Sequence, residues 1–213
     1  MSQILPLQQL SDSLEGDLFY DELHKVIYST DASVYQIKPI AVARPKSVTD
    51  IQTLVRFANE HHIPLTPRTA GTSLAGQTVG SGIIVDVSKY FTQIVSFDKE
   101  NKTVTVQPGV IRDELNLFLK PHGLFFGPNT STSNRCMIGG MVGNNSSGTT
   151  SIRYGVTRDK IVALKAILSD GSATVFTSLT SAEFVEKTKG DSLENQIYRT
   201  LYEELSNSET QNE

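Results

Sequence analysis

The sequence predicts an α+β protein of two subdomains, a small parallel βαβ subdomain and then a mostly antiparallel sheet flanked by helices. Three observations lead there. One long amphipathic helix pattern, near residues 47–62, lies between two short apolar runs, "IAVA" at 40–43 and "IPLT" at 63–66. Two later stretches run β-branched or alternate about turn residues, as hairpins do. Two long stretches rich in Gly, Ser and Thr, 67–80 and 127–155, fit neither a strand nor a core helix.

Residues 1–36 read as a helical lead-in. Leu7, Leu10 and Leu14 recur at helical spacing, as do Phe19, Leu23 and Val26 with Ile27. "IAVA" then reads as a buried strand ended by Pro45. Ser47 is a good N-cap, with Asp50 three residues on as a capping-box variant. Val48, Ile51, Leu54, Val55 and Ala58 form one apolar stripe, and His61 and His62 stand at the helix end. "IPLT" and "GIIVDVS" at 82–88 supply two more strands, and a helix between apolar strands calls for parallel pairing. Residues 37–92 make the first subdomain.

The second subdomain spans 93–205. "TQIVSFD" and "TVTVQPG" predict an antiparallel hairpin, followed by a helix at 111–120 with Gly123 as its stop. Residues 127–156 read as irregular. "KIVALKAILSDGSATVF" predicts a second hairpin turning at "DG". Helices near 181–188 and 192–205 follow, and 206–213 reads as a polar tail at which a longer chain is expected to be cut.

Composition narrows the function classes. The chain has 213 residues, enough for a real core, and a formal charge of -4, which argues against nucleic acid or anionic membrane as a bulk partner. A single cysteine, Cys136, excludes an intramolecular disulfide. No signal peptide is expected, and no run approaches the ~20 apolar residues of a membrane helix. The expected compartment is the cytoplasm, with any membrane attachment made through a partner. His24 and His122 stand alone, the His61–His62 pair lacks further ligands at metal spacing, and no metal site is expected.

The first stretch, "PRTAGTSLAGQTVG", carries three glycines, three threonines and one serine around Arg68, with no acid. It lies between strands, so it is not the G-x-G-x-x-G entry to a Rossmann helix, and it lacks the G-K-[ST] of a P-loop. Its composition suits a nest of backbone amides around an anion, with Gly71 and Gly76 permitting close approach; the alternative is an ordinary surface loop. Arg68 and Arg153 read either as phosphate contacts or as surface arginines. The second stretch, Gly127 to Gly155, holds six glycines and no acid, and "IGGMVGNN" suits a backbone pressed against a flat apolar surface. Two such stretches favour one ligand long enough to touch both.

"RPKSVTDIQTLVRFANEHHIPLTPRTAGTSLAGQ" resembles the start of the FAD-binding domain of the FAD-linked oxidases of the vanillyl-alcohol oxidase / p-cresol methylhydroxylase type. "TSTSNRCMIGGMVGNNSSGTTSIRYGVTRD" resembles its second FAD loop. The branch most similar is that of the D-lactate and D-2-hydroxyglutarate dehydrogenases, and "YSTDASVYQIKPIAVARP" resembles those members that carry a fused iron–sulfur domain. The resemblance runs from about residue 19 to 205 and implies FAD as cofactor. It implies that backbone amides of Thr69, Ala70, Gly71, Thr72 and Ser73 wrap the pyrophosphate, with Gln77 just beyond. Arg68 precedes them as a candidate phosphate contact. Thr69 departs from the family's glycine and fits only if its side chain points away from the phosphates. Thr72 stands where covalent members carry a flavin-linked histidine, so the resemblance implies non-covalent FAD. Pro128, Thr132, Cys136, Ile138, Gly139, Gly140, Asn144, Ser147 and Gly148 fall where the family lines the flavin and ribityl chain, and Val162 where it binds adenine through its backbone.

No catalytic residue is expected in this chain. In the family, the base and the cations that oxidise a 2-hydroxy acid come from a C-terminal substrate domain, and iron–sulfur clusters need cysteines that this chain lacks. The expected function is therefore the FAD-binding domain of an enzyme oxidising lactate, glycolate or 2-hydroxyglutarate, inactive alone, with the electron acceptor open. The alternatives are a stand-alone FAD, nucleotide or electron-transfer module, or the FAD domain of a UDP-sugar reductase.

Overall fold

The computed structural model describes residues 5–206. Contacts divide it into two compact units, one running to Ile161 and one beginning at Val162. The subdomain join expected between 92 and 93 lies inside the first unit. Most of the tail expected at 206–213 lies outside the described residues.

The first unit begins with α1 (Leu7–Asp12), β1 (Asp17–Phe19) and α2 (Glu22–Ile27). Phe19, expected on a helix with Leu23 and Val26, instead ends β1, which pairs antiparallel with β2 (Ala41–Arg44). Helical spacing of three apolar residues is too short a signal to separate a helix from a strand followed by a helix. Asp21 caps α2 by accepting from the His24 amide at 3.1 Å, so the helix starts three residues after Phe19.

The βαβ unit forms as expected, with α3 (Val48–His61) joining β2 to β3 (Leu65–Arg68). β4 (Ile83–Asp86) lies between them, parallel to both, in the order β1-β2-β4-β3. Strand alternation sorts the core. Ala41, Ala43, Ile83 and Val85 face one side with Leu54 of α3, Leu10 and Leu18, while Val42 and Ile84 face the other with Tyr28 and Phe19.

Ser47 caps α3, its hydroxyl accepting from the Asp50 amide at 3.1 Å. Asp50 does not complete a capping box. Its buried carboxylate instead accepts from the amides of Glu15 (2.9 Å), Gly16 (3.0 Å) and Lys46 (2.8 Å), tying the lead-in to the helix. His62 ends α3 in the left-handed region, φ 53°.

β5 (Ile94–Asp98) and β6 (Thr103–Val106) form the first hairpin, and α4 (Arg112–Leu119) follows. Their apolar faces share a second core with Cys136, Ile138 and Met141. Residues 127–156 are more ordered than expected, for α5 (Ile138–Asn144) and α6 (Ser151–Tyr154) fall within them. Paired glycines lower helix propensity, yet here they let α5 dock closely. A Cβ on Gly139 would fall on Pro108, whose carbonyl accepts the Gly139 amide at 2.8 Å.

In the second unit β7 (Ala163–Ile167) and β8 (Ala173–Thr177) form the expected hairpin, a two-stranded sheet separate from β5–β6. α7 (Ser181–Lys187) and α8 (Leu193–Leu205) each begin with a capping box, from Thr180 and Ser192. Tyr198 is buried against Phe184, ring centroids 5.3 Å apart, edge to face.

Candidate functional site

β3 and β4 end side by side, Arg68 opposite Asp86, and the first glycine-rich stretch leaves from that end. Among the described residues, no protein acceptor takes the amides of Thr69, Ala70, Gly71, Thr72 or Ser73. Gly71 lies between them at φ 66° and Gly76 follows at φ 70°, conformations that a residue with a Cβ reaches at a cost of about 1–2 kcal/mol. Free, successive N–H groups across such a turn form a concave donor set for anionic oxygens. The Ser73 hydroxyl holds the far side, accepting from the amides of Ala75 (3.1 Å) and Gln77 (3.3 Å) and donating to Gln77 Oε1 (3.0 Å).

Arg68 is turned inward. Its Nη1 donates to the carbonyls of Thr30 (2.8 Å) and Thr78 (3.4 Å), and its guanidinium lies 5.1 Å from the Tyr28 ring centroid. Tyr28 in turn donates to the buried Asp86 carboxylate at 2.5 Å and accepts from Arg44 Nη2 at 2.8 Å. Burial and the Asp86 charge push the Tyr28 hydroxyl above its ordinary pKa, which keeps it a donor.

The second stretch meets the first at Gly140. A Cβ on Gly140 would lie 2.6 Å from Thr69 Oγ1, so the bare Cα of Gly140 faces the Thr69 side chain. The Thr69 side chain thus leans on α5. The first-turn amides of α5 at Ile138 and Gly139 bond to Val110 and Pro108, whereas among the described residues none accepts that of Gly140.

The remaining candidates fall into three groups. Gly140, Asn144, Ser147 and Gly148 are exposed on and after α5. Cys136, Ile138 and Pro128 are buried. Cys136 Sγ lies 3.2 Å from Thr130 Oγ1 and 3.6 Å from Met141 Sδ, and Ile138 packs with Val110 and Leu115. Their side chains hold the core. Thr132 and Gly139 are half-buried, and the Thr132 carbonyl accepts the amides of Arg135 (2.9 Å) and Cys136 (2.7 Å). Val162 precedes β7 and belongs to the second unit.

Several positioning residues escaped the sequence reading. Arg112 donates to the carbonyls of Pro128 (3.2 Å) and Phe126 (3.3 Å), and Asn116 Oδ1 accepts the Phe126 amide at 2.6 Å. The Arg112 guanidinium and the Ser133 hydroxyl outweigh burial and hold Asp113 below the ordinary carboxylate range. Thr157, fully buried, donates its hydroxyl and its amide to the Ser146 carbonyl at 2.6 and 3.1 Å. Nothing in a hydroxyl within "GVTRD" announces that bond. Of the histidines, His24 pairs with Asp21 and stacks on Phe19, and His122 packs against Phe97. Among the described residues, no group of three or more His, Cys, Asp or Glu is placed to hold a metal, and no helix is long and apolar enough to cross a membrane.

The family model for the FAD binding domain matches residues 39–177, which spans both glycine-rich stretches. The chain belongs to the FAD binding domain family. It is 41% identical over 175 residues to the D-2-hydroxyglutarate dehydrogenase of Haemophilus influenzae, covering 81% of this chain and 17% of that protein. Against the Escherichia coli protein of the same name it is 37% identical over 202 residues, 92% of this chain and 20% of the relative. It is also 38% identical over 149 residues to the glycolate oxidase subunit GlcD of Bacillus subtilis, covering 69% of this chain and 32% of the relative. The chain thus spans about a sixth to a third of these curated relatives. Among solved structures, the Physcomitrella patens BBE-like 1 protein superposes with a TM-score of 0.71 at 21% identity, over 80% of this chain and 37% of that one. A xylooligosaccharide oxidase from Myceliophthora thermophila gives 0.70 at 20% identity, over 85% and 38%. These likenesses establish the α+β FAD-binding fold.

Proposed function

We propose that this chain is the FAD-holding part of a flavin-dependent oxidoreductase that oxidises a D-2-hydroxy acid of the 2-hydroxyglutarate, lactate or glycolate class. The observation that carries the reading is the run of five amides without protein acceptors, Thr69 to Ser73, turned about Gly71 and facing no acidic residue of its own stretch. Those amides would hold the pyrophosphate. Gly140, Asn144, Ser147 and Gly148, exposed on and after α5, would lie along the ribityl chain and flavin, and the backbone at Val162 would take the adenine. Pro128, Thr132, Cys136, Ile138 and Gly139 would shape that wall from behind. The cofactor would be held without a covalent bond, since Thr72 offers no imidazole.

The flavin, when bound, supplies the hydride-accepting chemistry; the protein binds and orients it and excludes water. The substrate class rests on the names of the relatives, whose lengths extend well beyond this chain. Groups that bind the carboxylate and remove the hydroxyl proton, any iron–sulfur clusters and the exit for electrons would lie outside these residues. We place the protein in the cytoplasm, with any membrane attachment through a partner.

Titrating the purified chain with FAD and following flavin fluorescence tests the reading. Saturable quenching at one equivalent supports it. Absence of binding both by this chain and by the full-length protein that contains it would overturn it. Turnover of D-2-hydroxyglutarate, D-lactate and glycolate by the full-length protein, with an artificial electron acceptor, then separates the substrates.

A further inference from the structure

Both left-handed turning points of the first glycine-rich stretch rest on a side chain, that of Arg68 at its start and that of Tyr35 from the segment before β2. A Cβ on Gly71 would lie 2.5 Å from Arg68 Nη2, so the turn sits on the guanidinium. A Cβ on Gly76 would lie 2.7 Å from Tyr35 Cδ2, so that turn sits on the tyrosine ring. Arg68 is itself held by the Thr30 carbonyl at 2.8 Å and by the face of Tyr28. Between these seats, Asp31 Oδ2 accepts from the Thr78 hydroxyl at 3.2 Å and its amide at 3.5 Å, while Asp31 Oδ1 accepts from the Ser33 amide at 2.8 Å. The supporting segment is closed on itself: Thr30 pairs with Gln36, and the Ile37 amide donates to the Ser29 carbonyl at 2.9 Å.

We propose that residues 28–36 are a brace that sets the shape of the amide nest, with Asp31, Tyr35 and Arg68 as positioning residues for the bound dinucleotide. The physical case is one of preorganisation. Five amides left without protein acceptors repel one another when aimed at one point, and a glycine-rich loop has many other conformations open to it. A loop fixed only at its two ends would lose that entropy on binding. Here the segment before β2 fixes it directly at Gly76 and Thr78, and at Gly71 through Arg68. Arg68 thereby takes a role other than phosphate contact: its Nη1 is committed to two carbonyls, and its charge stands beneath the nest. Tyr35 remains 56% exposed and Asp31 half-buried, so neither is a core residue whose loss unfolds the sheet.

The inference rests on the proposed FAD function for its binding readout, and its structural half can be tested without FAD. Asp31→Ala, Tyr35→Ala and Arg68→Lys are compared with the parent chain and with Leu54→Ala, a core truncation that reports what lowered stability alone does to binding. In hydrogen exchange without FAD, the brace variants are expected to speed exchange at the bonded amides of Ala75, Gln77 and Thr78 and leave those of β2 and β4 unchanged. In FAD titration, each is expected to weaken binding by about tenfold or more, while Leu54→Ala changes affinity by less. Arg68→Lys separates shape from charge, since an ammonium keeps the charge but lacks the planar guanidinium that seats Gly71 and lies over Tyr28. Unchanged loop exchange in all three variants overturns the brace. Affinity retained by the variants, with the parent binding FAD, removes its positioning role. If the parent chain and the full-length protein bind no FAD, the functional reading falls, and loop exchange alone decides whether the brace exists.

Discussion

The two glycine-rich stretches have similar compositions and are built in opposite ways. The first, between β3 and β4, has no helix or strand of its own between Thr69 and Gly82, and it takes its shape from neighbours. The second folds on itself around α5 and α6, and Arg112, Asn116 and Thr157 fasten its ends. Glycine does two kinds of work across them. At Gly71 and Gly76 it supplies a positive φ, whereas at Gly139, Gly140 and Gly148 it supplies room. Composition alone therefore does not distinguish a donor-lined loop from a closely docked helix.

That contrast can be broken experimentally. The largest effect is expected at Gly148, where a Cβ would run into the Asn129 carbonyl oxygen, a backbone atom that cannot step aside. Gly148→Ala should destabilise the fold by about 3 kcal/mol, read by urea unfolding, and should cost FAD binding with it. Next is Gly71→Val, which should abolish measurable FAD binding by blocking the nest and displacing Arg68. Its stability cost should be only about 2 kcal/mol, so retained affinity would undo the assignment of the first loop. Thr157→Val leaves the Ser146 carbonyl without its hydroxyl donor but keeps its amide donor. A loss of about 1–2 kcal/mol in unfolding free energy is expected, with the second stretch exchanging faster and the first unchanged.

The smallest effect is in acid. Asp31 is held below the ordinary carboxylate range: burial opposes its charge, but the Ser33 and Thr78 donors outweigh it. A folded pKa below the unfolded value means that this contribution is complete above the unfolded pKa, near 4, and fades as pH falls through the depressed one. Asp113, lowered by Arg112 and Ser133, behaves alike on the second stretch. Thermal melts between pH 5 and 2 should therefore show a shallower acid loss for Asp31→Asn and for Asp113→Asn than for the parent.

The sequence made the βαβ unit and both hairpins legible because their signals are local: an N-cap at Ser47, an apolar stripe through Leu54 and Ala58, and turn residues between β-branched runs. Glycine with hydroxyl residues between strands left an anion nest and an ordinary loop both open, and it was the resemblance that pointed to the amides of 69–73. What the sequence hid was tertiary. That Phe19 joins a strand depends on β2, and that "IGGMVGN" winds into a helix depends on Pro108 and Thr69 meeting its glycines. Sequence leaves Arg68 as either a phosphate contact or a surface arginine, because its acceptors, Thr30 and Thr78, sit 38 and 10 residues away. "YSTDASVY" did carry a clue, a run of turn-forming Ser, Thr and Asp closed by tyrosines.

Asp50 bears on where this protein can be trimmed. The family match begins at residue 39, and cutting there would look natural. Such a cut would strip the buried carboxylate of its Glu15 and Gly16 donors, remove the edge strand beside β2 and lift Leu10 and Leu18 out of the core. It would also take Thr30 from Arg68 and Asp31 from Thr78. A shortened version starting at 39 should come out of cells poorly and bind flavin worse than one that keeps its first forty residues. The smallest portable unit of this fold thus begins upstream of the segment by which its family is recognised.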